Sequence, residues 1–158
     1  MNTQKGLPAE AGQSLYEMVA AIGVIGIALF ALVSLATLSL RNANFSKSNQ
    51  VAISLSQEAV EWLRSQRDDN WQTFRANANT GVWCLQTLAF NNSGSCGISE
   101  TVSGSAIPFR REAQFSINNN GTPAETDDDI ITATVITSWD SPQGASDARV
   151  TTDFTGWR

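Results

Sequence analysis

The sequence has no histidine, and its only two cysteines are Cys84 and Cys96. Histidine is the commonest general base near neutral pH and the commonest metal ligand, and two thiolates are too few for a zinc site built from four cysteines. Neither a phosphate-binding loop nor a nucleophile motif occurs, and the carboxylates form no convergent pair. The sequence therefore predicts a protein that is not an enzyme and that uses no cofactor.

The chain also lacks an excess of positive charge. Its 158 residues include 10 basic and 15 acidic side chains, which give a formal net charge of −5. Binding to a phosphate backbone requires a basic face, and no basic cluster stands out, so we expect no nucleic-acid partner. The length suits one domain with an appendage rather than two full domains.

The spacing of the two cysteines is wrong for a redox pair. A bond between Cys84 and Cys96 would close a loop of about a dozen residues and stabilise the fold by roughly 3 kcal/mol. Because disulfides persist outside the cytoplasm, such a bond would place this part of the chain in an extracytoplasmic compartment. The alternative is a pair of unbonded, buried thiols.

Proline is absent between Pro8 and Pro108, so nothing in the sequence breaks a helix from about Ser14 to Asp69. At 1.5 Å per residue such a helix would be roughly 80 Å long. Residues 41–71 form its amphipathic extension.

The amphipathic pattern consists of apolar residues spaced four, four and three apart, flanked by further apolar side chains. The predicted stripe contains Val51, Leu55, Ala59 and Trp62, with Ile53, Val60 and Leu63 beside it.

Charge is missing altogether from Met18 to Leu40. An apolar helix of about 20 residues spans a bilayer, so residues 13–40 are expected to form a transmembrane helix. A cleaved secretory signal has a shorter apolar core, of about 7–15 residues, followed by a small-residue cleavage site. Here the polar helical stretch "RNANFSKSNQ" follows instead, which favours a segment that stays attached.

One acid, Glu17, stands at the amino-terminal end of the apolar run. A carboxylate at the centre of a bilayer costs roughly 2.5–3.5 kcal/mol, and it is retained when it has a partner. The simpler interpretation is a solvated residue just outside the lipid.

The stretch "GQSLYEMVAAIGVIGIAL" resembles the class III signal of type IV pilins and type II secretion pseudopilins. These proteins carry a short leader that ends in glycine, a cleavage site before the apolar run, and a glutamate as the fifth residue after the cut. The resemblance implies a leader at residues 1–12, cleavage between Gly12 and Gln13 by a prepilin peptidase, and methylation of the new amine. It also implies that Glu17 sets filament register by pairing with the Gln13 amine of a neighbouring subunit.

Two departures from that pattern affect this resemblance. Gln13 replaces the commonest phenylalanine, and Ser34 occupies the place of the frequent mid-helix proline.

The segment "SQEAVEWLRSQRDDNW" is similar to PilV-like and GspI-like minor pilins. That match comprises Glu58, Ala59, Glu61, Arg64, Arg67, Asp68 and Trp71.

The outer domain, residues 72–158, is rich in strand formers and turn residues. "GVWCLQTLAF", "IPFRREAQFSI", "DIITATVITSW" and "ARVTTDFTGW" are expected strands, with "SPQGASD" as a hairpin connection. The third of these is mostly apolar and is expected to be central. The fold class is therefore α+β, with a long helix packed on a small antiparallel sheet of three or four strands.

Three successive acids, Asp127, Asp128 and Asp129, are a weak candidate for a calcium site, because clustered carboxylates suit a hard cation. They lack the spaced ligands and the glycine of an EF-hand loop, and a solvated turn is the simpler interpretation.

The resemblance implies a minor pilin or pseudopilin that functions as a structural subunit. It would sit in the bacterial inner membrane, with its outer domain outside the cytoplasm, before entering a cell-surface or periplasmic filament. The implied partners are the prepilin peptidase, other pilin subunits, the inner-membrane assembly platform and the lipid bilayer. The alternative is a signal-anchored receptor or adhesin that never polymerises.

Overall fold

The structure is a computed structural model that describes residues 11–105, 107–119, 129–142 and 144–156, with side chains from Leu15 onward. The chain forms two compact units, Met1–Asn44 and Phe45–Arg158. The secondary-structure elements are two helices followed by four strands. The expected α+β fold, with a long amino-terminal helix packed on an antiparallel sheet, is confirmed.

The long helix, α1, spans Ala11–Asp69 without a break. It ends where Asn70 adopts an extended conformation (φ −156°, ψ 102°), and the Asn70 side chain accepts a hydrogen bond of 2.8 Å from the Thr73 N–H. Asn70 therefore caps a second helix, α2 (Trp71–Ala78). This short helix was not predicted, because its apolar residues span only two turns.

Four strands form one antiparallel sheet in the order β1-β2-β3-β4. The strands are β1 (Val82–Cys84), β2 (Phe109–Asn118), β3 (Ile130–Ser141) and β4 (Gly144–Thr155). The prediction that β3 is central is confirmed, since it pairs with β2 along ten positions and with β4 along twelve.

Two strand boundaries differ from the sequence-based prediction. In "GVWCLQTLAF" only Val82–Cys84 is a strand, because the chain leaves the sheet where the disulfide loop begins. In "SPQGASD" the residues from Gly144 onward belong to β4, so the hairpin connection is much tighter than predicted. Gly144 has φ +118°, a conformation that glycine adopts readily and other residues rarely do. The predicted turn "NNNGTP" falls largely outside the described residues.

The face of α1 that packs on the sheet is rotated by one residue from the predicted stripe. The fully buried positions are Ala52, Ser56, Ala59 and Leu63, whereas Val51 is exposed. Three of these four buried side chains are small, and the larger Val60 is buried beside them. The buried hydroxyl of Ser56 lies 2.7 Å from that of Thr137 on β3, so this polar pair is satisfied within the core.

The sheet presents one face to the helices. Ile131, Ala133, Val135 and Trp139 of β3 are fully buried on that face. The main apolar cluster combines the first three of these with Leu63 of α1, Phe74 of α2 and Phe154 of β4, where the Phe74 and Phe154 rings meet edge to face at 5.2 Å. A smaller cluster joins Ala52, Phe109, Trp139 and Ala148.

A buried arginine ties three elements of this unit together. Although it is charged, Arg111 of β2 is only 2% exposed, because it occupies the helix-facing row of its strand. Its guanidinium donates to the Leu85 carbonyl (3.1 Å), the Leu55 carbonyl (3.0 Å) and the Glu58 carboxylate (2.7 Å). A buried charge is costly unless its donors are satisfied, and here helix and loop supply the acceptors.

We expect Arg111→Met to lower the free energy of unfolding by about 2–3 kcal/mol, because it leaves buried acceptors unpaired while retaining most of the side-chain volume. Urea unfolding of the detergent-solubilised chain, followed by tryptophan fluorescence, measures this loss. The matched control is Arg64→Met, which breaks an exposed pair with Glu61 and should cost at most about 1 kcal/mol. Equal losses for the two variants would contradict this role of Arg111.

Candidate functional site

The first half of α1 exposes an apolar surface on every side. The large hydrophobic side chains from Leu15 to Leu40 are each between 55% and 77% exposed. The helix is long and apolar enough to cross a membrane by length and composition, and its uncharged run would be about 34 Å long at 1.5 Å per residue. A helix that is hydrophobic all round requires lipid or other helices as its surroundings.

The hydroxyl groups of Ser34 and Thr37 within this run are satisfied by the helix itself. Ser34 Oγ donates to the Phe30 carbonyl at 2.9 Å, and Thr37 Oγ1 donates to the Ser34 carbonyl at 2.8 Å. Such bonds to the preceding turn allow hydroxyl side chains to enter an apolar medium without an unpaired donor. The helix also passes through Ser34 without a break.

Glu17 is exposed, and within the described part of the chain its carboxylate has no hydrogen-bond or ion-pair partner. It lies just before the uncharged run that begins at Met18. A carboxylate at the edge of an apolar medium favours a cation as its partner.

The backbone at Gly12 and Gln13 lies in the first turn of α1. The first four N–H groups of a helix have no acceptor within the helix, so this turn opens at lower cost than the rest. Gln13 precedes Glu17 by four residues, which places the two positions on one face of the helix.

The two cysteines are bonded to each other, with an S–S distance of 2.04 Å. The loop between them is held to the sheet at both ends. The Cys84 N–H donates to the Asn92 carbonyl (2.9 Å), and the Cys96 N–H donates to Glu112 Oε1 (2.8 Å). Because Cys84 belongs to β1 and Glu112 to β2, the disulfide loop covers this edge of the sheet.

The candidate calcium ligands are only partly described, since Asp127 and Asp128 lie outside the described residues. Asp129 is fully buried, and its Oδ2 accepts a hydrogen bond of 2.5 Å from Arg75 Nε of α2. A guanidinium at this distance disfavours a cation at the same oxygen. In the described ranges, no group of three or more acidic, cysteine or histidine side chains is arranged to hold a metal.

Two ionic contacts with a fully buried partner were missed by the sequence reasoning, those of Arg111 with Glu58 and of Arg75 with Asp129. Arg111 carried a usable signal, because it stands between Phe109 and Ala113 on the apolar row of its strand and a charge there requires a partner. Asp129 carried a similar signal, because it stands on the same row as Ile131 and Ala133, but the sequence reasoning grouped it with Asp127 and Asp128.

Comparison of the chain with family models, with curated proteins and with solved structures finds no match in any of the three.

We expect the double variant Cys84→Ser/Cys96→Ser to lose about 3 kcal/mol of unfolding free energy, because the unfolded chain then regains the freedom of the open loop. Urea unfolding at matched protein concentration measures the loss. The control is Ser95→Ala in the same loop, which keeps the disulfide. Equal midpoints for the double variant and the wild-type chain would show that the bond does not stabilise the fold.

Proposed function

We propose that this protein is a minor type IV pilin or pseudopilin, a structural subunit that prepilin peptidase cleaves between Gly12 and Gln13 and N-methylates. The processed subunit then remains in the bacterial inner membrane until it assembles into a pilus or pseudopilus. The observation that carries the proposal is the spacing of Gly12, Gln13 and Glu17 ahead of an uncharged run that is exposed on all sides in the monomer.

The exposed apolar surface of α1 supports this proposal, because either lipid or other subunits could cover it. In the membrane, lipid covers these side chains, and in a filament the same side chains would cover one another. The free energy of the run in an apolar environment is then similar before and after assembly. Assembly therefore needs a polar interaction to give the subunits a defined register.

Glu17 supplies that interaction in the proposed mechanism. Cleavage after Gly12 creates an ammonium group on Gln13, and in an apolar environment opposite charges attract much more strongly than in water. The acid of one subunit pairs with the amine of the next, so that neither charge remains uncompensated among the packed helices. Gln13 and Glu17 lie on one helix face. A small axial shift between neighbouring helices is therefore enough to bring Glu17 of one subunit beside the Gln13 amine of the next.

The disulfide supports the orientation. A stable Cys84–Cys96 bond requires an oxidising compartment, so the outer domain lies outside the cytoplasm and the leader lies inside it, where the peptidase acts. The outer domain contains the sheet and would form the outer surface of the filament. No catalytic step is assigned to the chain.

Mass spectrometry of the protein extracted from its own membranes tests the processing step. We expect an amino terminus at Gln13 carrying one methyl group, and a Gly12→Asp variant that retains residues 1–12. A wild-type chain that keeps Met1, or that is cut at another bond, would contradict the proposed processing and would favour a signal-anchored receptor or adhesin.

The register step is tested with Glu17→Gln, which removes the charge but keeps the shape of the side chain. Incorporation into sheared filaments should fall at least about tenfold, because the amine of the neighbouring subunit then has no carboxylate partner. Membrane insertion should be unchanged or better.

The control for Glu17→Gln is Glu61→Gln, which neutralises an exposed acid later in the same helix and should leave incorporation within about twofold. Quantitative immunoblots of filament and membrane fractions give both numbers. Normal incorporation of the Glu17→Gln protein would exclude the charge pairing as the register device.

A further inference from the structure

The two edges of the sheet differ in how far other backbone covers them. The β2 side is covered by β1 and by loop backbone, as shown by bonds from Leu85 N–H to the Arg111 carbonyl and from Val102 N–H to the Phe109 carbonyl, both 2.8 Å. On the other side, the described residues make no backbone hydrogen bond to β4 beyond its ladder with β3. In an antiparallel ladder about half of the peptide groups of an edge strand point outward, so β4 offers an open row of donors and acceptors.

This open edge lacks most of the features that prevent strands from pairing with one another. Edge strands are usually short, bulged, or interrupted by proline or lysine. Strand β4 has 12 residues in continuous register with β3 and contains neither proline nor lysine. Its charged side chains are Asp147, Arg149 and Asp153, which share the face of the sheet that points away from the helices.

We propose that β4 pairs antiparallel with β4 of a second copy of this chain, with Thr151 opposite Thr151 on the two-fold axis. In this register Arg149 of each copy lies opposite Asp153 of the other, and Asp147 lies opposite Thr155. Each dimer therefore gains two cross-strand pairs of opposite charge, which are favourable in sheets. The result is a continuous eight-stranded sheet.

The charges select this register over its neighbours. Opposite residues of antiparallel strands share a face, so alternative registers shift the two-fold axis by whole residues. Centred on Thr152, the pairing places Arg149 opposite Thr155 and Asp153 opposite Thr151, so both ion pairs are lost. Centred on Val150, it places Asp147 opposite Asp153, and centred on Arg149 it places two arginines face to face. Like charges in directly opposite positions destabilise a strand pair.

The side chains are free to make the new contacts. Arg149 donates to Asp147 of its own chain at 2.6 Å, but its side chain is 63% exposed and retains other N–H donors. Asp153 accepts the Thr132 hydroxyl on Oδ1, and no other hydrogen bond to this carboxylate occurs among the described residues. On the helix-facing side the same register sets the small Ala148 against the large Phe154, which suits close packing.

The symmetry of this contact determines the relative direction of the two copies of this unit. A two-fold axis that relates antiparallel strands of one sheet stands perpendicular to that sheet, so it reverses every direction within the sheet plane. The part of α1 that packs on the sheet therefore runs in opposite directions in the two copies.

The test uses the full-length chain reconstituted in lipid vesicles with the outer domain facing outward. Under mild oxidation Thr151→Cys should form a disulfide-linked dimer, because opposite residues in an antiparallel pair have Cα atoms within about 4.5–5.5 Å of each other. Gln114→Cys is the matched control, since it is an exposed position on the same sheet but on β2. The native cysteines do not compete, because they are bonded to each other.

Two further variants test the register. Arg149→Cys and Asp153→Cys should each give little dimer alone and should cross-link to each other when the two chains are reconstituted together. In the Thr151→Cys background, Arg149→Asp or Asp153→Arg should lower the dimer yield at least about fivefold. The double reversal should restore the yield to within about twofold.

Several results would overturn the proposal. Equal yields for Thr151→Cys and Gln114→Cys would indicate random collision, and failure of the double reversal would exclude this register. The proposal does not depend on filament assembly, because Glu17→Gln vesicles should give the same cross-link.

Discussion

The uncovered apolar surface of the first half of α1 is the constraint on which the rest of the protein depends. The large hydrophobic side chains from Leu15 to Leu40 remain more than half exposed, and no other part of the described chain covers them. Water is a poor environment for such a surface, and the helix is long and apolar enough to cross a membrane. The described chain thus leaves this surface without a cover of its own.

The second unit meets the opposite requirement, because it buries its own apolar surface. The same helix continues into this unit, where the small side chains of Ala52 and Ala59 are fully buried. Arg111 then fixes the strand to the helix and to the disulfide loop through three acceptors. One continuous helix therefore serves two environments, and the change from exposed apolar residues to a small-residue seam marks the transition.

Polar groups define position in both environments. In the second unit, Arg111 and the Ser56–Thr137 hydroxyl pair favour one placement of helix on sheet, because any other placement would leave buried polar atoms unpaired. In the proposed filament, Glu17 has the same task among helices whose apolar surfaces would tolerate many registers. At the open edge of β4, the alternation of Asp147, Arg149 and Asp153 would select one register of pairing.

The sequence by itself determined the elements that have a long periodic pattern or a distinctive composition. The uncharged run predicts a helix long and apolar enough to cross a membrane, the missing prolines keep α1 unbroken, and alternation places Phe109, Ala113 and Val135 on buried faces. The helix α2, the one-residue rotation of the buried stripe on α1 and the Arg75–Asp129 pair were decided by the tertiary structure. Each depends on contacts between residues distant in sequence, where packing volume and polar satisfaction outweigh the local pattern.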